Sequence, residues 1–144
     1  MYKDRKELYK NPRNKKVDWE RAMASLEQNY LEIQPLIESA SDPQGYGIPQ
    51  KTGEKNLVFS QGCLIQNLPV RISLWNYPPQ IMFQTKSSEP LTIESNQIKN
   101  YAELMAKIQE QTKLRVFFEY EQSEKTGETL IGYTIRPEYK NFQK

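Results

Sequence analysis

The segment Asn56–Thr85 constrains the fold most, because it is the longest run in the chain that must be buried. Apolar and polar residues alternate through Val70–Tyr77, and a period of two predicts a half-buried strand. Pro78 and Pro79 must end that strand, since neither donates a ladder hydrogen bond. Residues 81–84 alternate in the same way. The connections are too short for the crossover that a parallel pair needs, so the segment predicts an antiparallel meander of three to five strands.

A helix is predicted on the N-terminal side of the meander. Asp18 can cap a helix that begins at Trp19 and carries Glu20 in its first turn. Its apolar residues follow helical spacing and form one stripe: Trp19, Ala22 or Met23, Leu26, Tyr30 and Ile33. Pro35 predicts that the helix ends or kinks near 33–34, because a proline ring clashes with the preceding turn.

A second amphipathic helix follows the meander. Its apolar face consists of Ile98, Tyr101, Met105, Ile108 and Thr112, with Leu104 beside it. Asn100 followed by Glu103 resembles a capping box, although its first residue is Asn rather than Ser or Thr. We expect this helix to pack on the sheet.

The C-terminal part predicts a hairpin. Residues 116–121 and 130–136 alternate, and Gly127 supplies the left-handed residue of the turn between them. We expect this hairpin to join the same sheet, with Phe118 and Ile135 facing the same core.

These patterns together predict an α+β fold: an N-terminal helix, an antiparallel meander, one amphipathic helix packed on the sheet, and a C-terminal hairpin. We divide the chain into a basic arm and helix (1–39), a loop or hinge (40–56), an α+β core (57–137) and a tail (138–144). The loop is rich in proline and glycine, and loops of this length are usually functional or disordered.

Positive charge is concentrated at the N-terminus. Residues 1–16 contain seven lysines and arginines against Asp4 and Glu7, while the whole chain has a net charge of only +2. Such a pattern is typical of a segment that binds nucleic acid or an acidic partner. The plainer alternative is the solvated start of a helix.

Several chemistries are excluded or disfavoured by the composition. The chain has no histidine and one cysteine, Cys63, so it lacks the usual acid–base residue and cannot build a structural zinc site from thiolates. It carries no phosphate-binding or nucleophile-elbow motif. Glu119 and Glu121 share a strand face, which is more typical of a solvated surface than of a catalytic pair. We therefore expect no enzyme activity, no cofactor and no metal.

The compartment is predicted from further absences. A single cysteine fits a reducing, cytoplasmic setting. No stretch of the sequence is apolar enough to predict a membrane span or a secretory signal. Cys63 lies in an apolar run without a basic neighbour, which predicts a buried and inert thiol.

The remaining signal is aromatic residues beside cations. Arg71, Trp75 and Tyr77 are predicted on one face of one strand, and Lys86 follows the neighbouring strand. Aromatic and basic residues on an exposed sheet face are what single-stranded nucleic-acid binders use for stacking. Alternatively, Trp75 and Tyr77 pack under the N-terminal helix while Arg71 extends its charge to solvent.

From the sequence we predict a small, non-enzymatic nucleic-acid-binding accessory protein, with DNA, possibly single-stranded, as its partner. The predicted binding residues are Arg13, Lys15, Lys16, Arg71, Trp75, Tyr77, Lys86 and Lys113. The alternative is a protein-interaction module, such as an inhibitor or assembly factor, that grips a protein partner with the first helix and the long loop.

Overall fold

The structure is a computed structural model that describes residues 16–88, 91–92 and 95–144. Within these residues the fold is α+β, as predicted, with two α-helices and a five-stranded antiparallel sheet. The elements in chain order are α1 (Trp19–Ala40), β1 (Leu57–Ile65), β2 (Leu68–Asn76), β3 (Pro79–Ser87), α2 (Asn96–Thr112), β4 (Arg115–Gln122), β5 (Thr129–Arg136) and a 3-10 helix (Tyr139–Phe142).

The C-terminal hairpin does join the sheet of the meander. The strand order is β1-β2-β3-β5-β4, so β5 lies between β3 and β4 and is antiparallel to both. Ile135 shows this position directly, because it pairs with Ile81 on one side and with Val116 on the other. Helix α2 supplies the crossover that brings the chain from β3 to the far edge.

Both helices pack on one face of the sheet, which we call the helix face. Its buried side chains come from every second strand position, as the alternation predicts, and they include Val70, Ile72, Leu74, Ile81, Phe83, Ile131 and Ile135. The helices contribute Leu26, Tyr30, Ile33, Ile37, Ile98, Tyr101, Met105 and Ile108. The other face carries Arg71, Trp75, Gln84, Phe117 and Glu119, and we call it the open face because neither α-helix packs on it. Its central residues Ser73, Gln80, Met82 and Thr134 are nevertheless buried.

Helix α1 begins as predicted but does not end at Pro35. Asp18 caps it, since its side-chain oxygen accepts a hydrogen bond of 3.1 Å from the backbone nitrogen of Arg21. The helix continues through Pro35 to Ala40. The proline ring is exposed, and the fully buried Ile33 and Ile37 on either side hold the backbone helical through their packing.

Helix α2 begins at Asn96, so the pair Asn100 and Glu103 lies inside the helix and does not form a capping box. Its cap is Ser95, whose hydroxyl accepts a hydrogen bond of 3.3 Å from the backbone nitrogen of Ile98. The start at Asn96 allows Ile98 to join the buried stripe. The predicted apolar face is otherwise confirmed.

Phe118 and Ile135 lie on the helix face, but their environments differ. Ile135 is fully buried in a central strand, whereas Phe118 is 40% exposed on the outer strand β4. The ring of Phe118 contacts Tyr133, with 5.0 Å between ring centroids. Phe118 is more exposed than Ile135 because it lies on an outer strand, although both side chains lie on the same face of the sheet.

The segment predicted as a loop or hinge lies along the outer edge of β1. Gln50 and Ser60 exchange two backbone hydrogen bonds of 2.9 Å, and the nitrogen of Gly47 donates to the oxygen of Gly62 at 2.8 Å. The carboxylate of Asp42 accepts hydrogen bonds from the backbone nitrogens of the turn between β1 and β2, at 2.8 and 2.7 Å. A hinge function for this segment stays a prediction.

The segment predicted as a tail is docked against the start of α1. The nitrogen of Asp18 donates to the oxygen of Phe142 at 2.6 Å, and the nitrogen of Lys144 donates to the oxygen of Lys16 at 2.7 Å. The hydroxyl of Tyr139 donates to the carbonyl oxygen of Pro79 at 2.7 Å. The two ends of the described chain therefore meet.

Candidate nucleic-acid interface

Arg71 and Lys86, two of the predicted binding residues, line one groove on the open face. The groove has a volume of about 1010 Å³ and an apolar floor that includes Leu64, Pro69 and Leu130. Both cations already have partners: Arg71 Nε donates to Ser60 Oγ at 3.2 Å, and Lys86 Nζ lies 3.2 Å from Glu128 Oε2. The groove therefore combines two cations with one carboxylate.

Trp75 lies on the same face as Arg71, four residues further along β2, which is about 13 Å in an extended strand. Trp75 is partly buried and pairs with Gln80 on β3. Tyr77 follows the end of β2, and its ring contacts Trp19 edge-on, with 5.3 Å between centroids. The packing of Tyr77 against the first residue of α1 matches the alternative interpretation of this residue.

The remaining predicted cations lie at the end of the molecule where α1 begins. Lys16 is exposed there. Lys113 is exposed at the C-cap of α2 in a left-handed conformation, with φ of 62°, and precedes β4 by one residue. Arg13 and Lys15 lie outside the described residues. The predicted set thus divides between the groove and this end of the sheet.

Arginine side chains stack on aromatic rings at the same end. Arg136 lies over the rings of Phe117 and Tyr139, at 4.7 and 5.2 Å from their centroids. Arg115 lies 5.0 Å from the centroid of Phe117 and forms an ion pair of 3.0 Å with Glu138. Contacts of this kind are worth about 0.5–1 kcal/mol at exposed sites. These contacts hold the C-terminal segment against β4 and β5, and they bring several cations together at this end of the sheet.

Arg21, in the first turn of α1, extends this cluster. Its guanidinium lies 5.4 Å from the centroid of the Phe142 ring and donates a hydrogen bond of 3.2 Å to the carbonyl oxygen of Asn141. Trp19 contacts Tyr139 at 5.1 Å between centroids. We call this region the basic end; its cations are Lys16, Arg21, Lys113, Arg115, Arg136, Lys140 and Lys144.

Acidic residues at the basic end are fewer than the cations. They are Asp18 and Glu20 at the start of α1, and Glu138 beside Arg115. The opposite end of the sheet carries Asp42, Glu124 and Glu128 together with Lys86, Lys99 and Lys125, so its charges balance. The described chain therefore has a positive end, and residues 1–15 are covalently joined to that end through Lys16.

Sequence reasoning missed Arg21, Arg115, Arg136 and the docked Tyr139. One signal was available for Arg115, because it precedes Phe117 by two residues and therefore shares its strand face. The contact of Arg136 with the same ring depends on the pairing of Arg115 with Arg136 across β4 and β5. No local pattern in the sequence displays that pairing.

The titratable groups with shifted pKa values are buried structural residues. Burial raises the pKa of Tyr30, whose hydroxyl donates a hydrogen bond of 2.7 Å to Gln61 Oε1 in the core. Burial likewise raises the pKa of the Cys63 thiol and of Tyr133. The predicted burial of Cys63 is confirmed, and a thiol with a raised pKa is a poor nucleophile.

Two absences concern residues 16–88, 91–92 and 95–144 only. In that part of the chain, no three histidine, cysteine, aspartate or glutamate side chains come together as they would around a metal ion. No helix there is both long and apolar enough to cross a membrane.

Comparison with known proteins gave no matching family model, no matching curated protein and no matching solved structure.

Proposed function

We propose that the protein is a non-enzymatic nucleic-acid-binding accessory protein that contacts phosphates with its basic end. The observation that carries this proposal is the convergence of cations from three separate chain segments, 16–21, 113–115 and 136–144, at one end of the sheet. The basic arm within 1–16 joins the molecule at that same end. A cluster of like charge raises the local concentration of a polyanion and speeds its association.

The position of Trp75 supports single-stranded DNA as the first ligand to test. Trp75 pairs with Gln80, and Ile81 pairs with Ile135, so Trp75 lies at the same end of the sheet as Arg136. Stacking of bases on aromatic rings beside cations binds single strands with little sequence preference. Trp75 is only partly buried as a residue, although its indole nitrogen is buried.

The test is a titration of a labelled single-stranded oligonucleotide, followed by fluorescence anisotropy at several salt concentrations. The double variant Lys113→Gln/Lys140→Gln removes two exposed cations of the basic end. The matched control, Lys99→Gln/Lys125→Gln, removes the same charge from exposed positions at the opposite end. Each lost phosphate contact should lower the slope of log K against log salt by about 0.7.

We expect the basic-end variant to bind more weakly and with a shallower salt slope, and the control to behave like the parent. Equal effects of the two variants would show that binding depends on net charge and not on the basic end. Absence of binding to single and double strands at low salt would refute the proposal. Trp75→Ala should weaken single-strand binding by about 1–3 kcal/mol without changing the slope.

A protein-interaction module is the second candidate, and one observation favours it. Leu31 on α1 and Ile48 in the long loop are 61% and 73% exposed, and these are the two elements predicted to grip a partner. Exposed large apolar side chains are typical anchors of protein interfaces. If the nucleic-acid titration fails, Leu31→Lys and Ile48→Lys are the variants to compare in a pull-down.

A further inference from the structure

β4 is an outer strand of the sheet, and its outer edge differs from a protected sheet edge. β4 pairs with β5 on one side, and no strand in the described part of the chain pairs with its other side. The strand is eight residues long and contains no proline, no lysine and no register shift. Proline, bulges and charged side chains, lysine above all, are the devices that usually protect a sheet edge from pairing with another chain. The charges of β4, on Arg115, Glu119 and Glu121, all lie on the open face and include both signs.

The backbone groups on this edge can be identified. Ser123 donates a backbone hydrogen bond of 2.9 Å to Glu128 in the turn of the hairpin, which makes that pair a hydrogen-bonded one. Hydrogen-bonded and non-hydrogen-bonded pairs alternate along an antiparallel ladder. The odd-numbered residues of β4 therefore bond to β5, and Val116, Phe118 and Tyr120 direct their N–H and C=O groups outward.

We propose that this edge pairs with β4 of a second copy of the chain, forming a continuous antiparallel sheet across a twofold axis at Phe118. In that register Phe118 lies opposite its own equivalent. Val116 lies opposite Tyr120 of the second copy, and the outward N–H and C=O groups of all three residues meet acceptors and donors. Strand addition of this kind takes its affinity from main-chain hydrogen bonds.

Side-chain complementarity and the length of strand overlap together select this register, which pairs residues 115–121. Arg115 lies opposite Glu121 of the second copy on the open face, and the twofold axis repeats this pair of opposite charges. On the helix face, the half-exposed Phe118 rings meet each other between Val116 and Tyr120. Cross-strand pairs of opposite charge and of aromatic side chains both stabilise antiparallel sheets. Shifting the register by two residues in one direction would pair Arg115 with Glu119 but shorten the paired stretch to residues 115–119. Shifting it in the other direction would place Glu119 opposite its own equivalent.

Disulfide trapping tests the geometry directly, in a Cys63→Ala background. Phe118→Cys places two thiols on the axis, where Cα atoms of a hydrogen-bonded pair are about 5.5 Å apart, within the range of a disulfide. Glu121→Cys is the matched control, because its own equivalent lies about 20 Å away in this register. A mixture of Arg115→Cys and Glu121→Cys chains should form the mixed disulfide.

We expect Phe118→Cys to give a covalent dimer on mild oxidation, and Glu121→Cys alone to stay monomeric. Equal trapping of both single variants, or trapping of Glu121→Cys alone, would overturn the register. Circular dichroism of each reduced variant establishes that it is folded. If Phe118→Cys does not fold, the mixed disulfide of Arg115→Cys and Glu121→Cys decides the question by itself.

Sedimentation equilibrium over a wide concentration range tests the association of the native chain. Glu121→Arg places like charges opposite each other and should raise the dimer dissociation constant about tenfold. Glu124→Arg makes the same charge change in the turn beyond the strand and should have little effect. A native chain that stays monomeric up to millimolar concentration would overturn the proposal, as would equal effects of the two charge reversals.

Discussion

The two outer strands of the sheet, β1 and β4, have opposite surroundings. The outer edge of β1 is covered by the chain itself, because Asp42, Gly45, Gly47 and Gln50 hydrogen-bond to its backbone. The outer edge of β4 has no such cover among the described residues. An exposed sheet edge tends to pair with another strand. The comparison indicates that the long loop protects one edge and leaves the other for recognition.

Gly47→Ala should have the largest effect on this arrangement. A Cβ atom at position 47 would lie 2.2 Å from the oxygen of Gly62, so the loop must move away from β1. We expect a loss of about 3 kcal/mol in the free energy of unfolding, near the upper end for a steric insertion. Urea denaturation measures this loss. Gly53→Ala is the control, since its Cβ would meet no atom within 4 Å, and a loss as large there would contradict the account.

Tyr30→Phe removes the side-chain link between α1 and β1. The phenol donates to Gln61 Oε1, and the Nε2 atom of Gln61 is buried without a hydrogen-bond partner among the described residues. Loss of the phenol leaves the buried amide oxygen unsatisfied as well. We expect a loss of about 1–2 kcal/mol in the free energy of unfolding. An unchanged urea midpoint would show that water replaces the phenol.

Phe118→Ala should cost less than a fully buried phenylalanine. Complete truncation in a core costs about 3–5 kcal/mol, but Phe118 is 40% exposed at the β4 edge. We expect about 1 kcal/mol of lost stability in the dilute monomer. Phe83→Ala, in the middle of the sheet and fully buried, is the reference with the full cost. Equal costs at the two positions would mean that the β4 edge is covered.

The stability should also fall at alkaline pH through Tyr30. Burial raises its pKa above the ordinary value of about 10, so an unfolded tyrosine ionises first as the pH rises. The stabilisation is present below about pH 10 and is lost above it, because the unfolded state then releases a proton that the folded state retains. The measurement is the urea midpoint between about pH 9 and 11, a range that brackets the ordinary tyrosine pKa of about 10. Tyr30→Phe should make the fall of the midpoint with pH smaller. An identical pH dependence in parent and variant would contradict the assignment.

The fold could be predicted where burial leaves a periodic pattern. The alternation in β2 and the stripes of α1 and α2 reappear in the structure because side chains on one face must be buried together. The docking of the loop on β1 could not be predicted, because it depends on backbone hydrogen bonds of Gly47 and Gln50. Such bonds leave no pattern of side-chain types in the sequence. The resemblance of Asn100 and Glu103 to a capping box did not identify the cap of α2, which is Ser95.

The candidate site could be predicted only where it follows from the spacing of residues within one strand. The face shared by Arg71 and Trp75 follows from their spacing in one strand. The basic end, however, assembles Arg21, Arg136 and Lys113 from distant segments, and only the insertion of β5 beside β4 brings them together. The binding role of the predicted residues stays a prediction until the salt-dependent titration is done.

Amide hydrogen exchange of the two outer strands tests the central claim most directly. In dilute protein, the amides of Ser60 and Leu64 on β1 should be protected by their bonds to the loop, while those of Val116, Phe118 and Tyr120 on β4 exchange rapidly. At high protein concentration the β4 amides should gain protection and the β1 amides should not change. Strong protection of the β4 amides at every dilution, or rapid exchange at every concentration, would contradict the account.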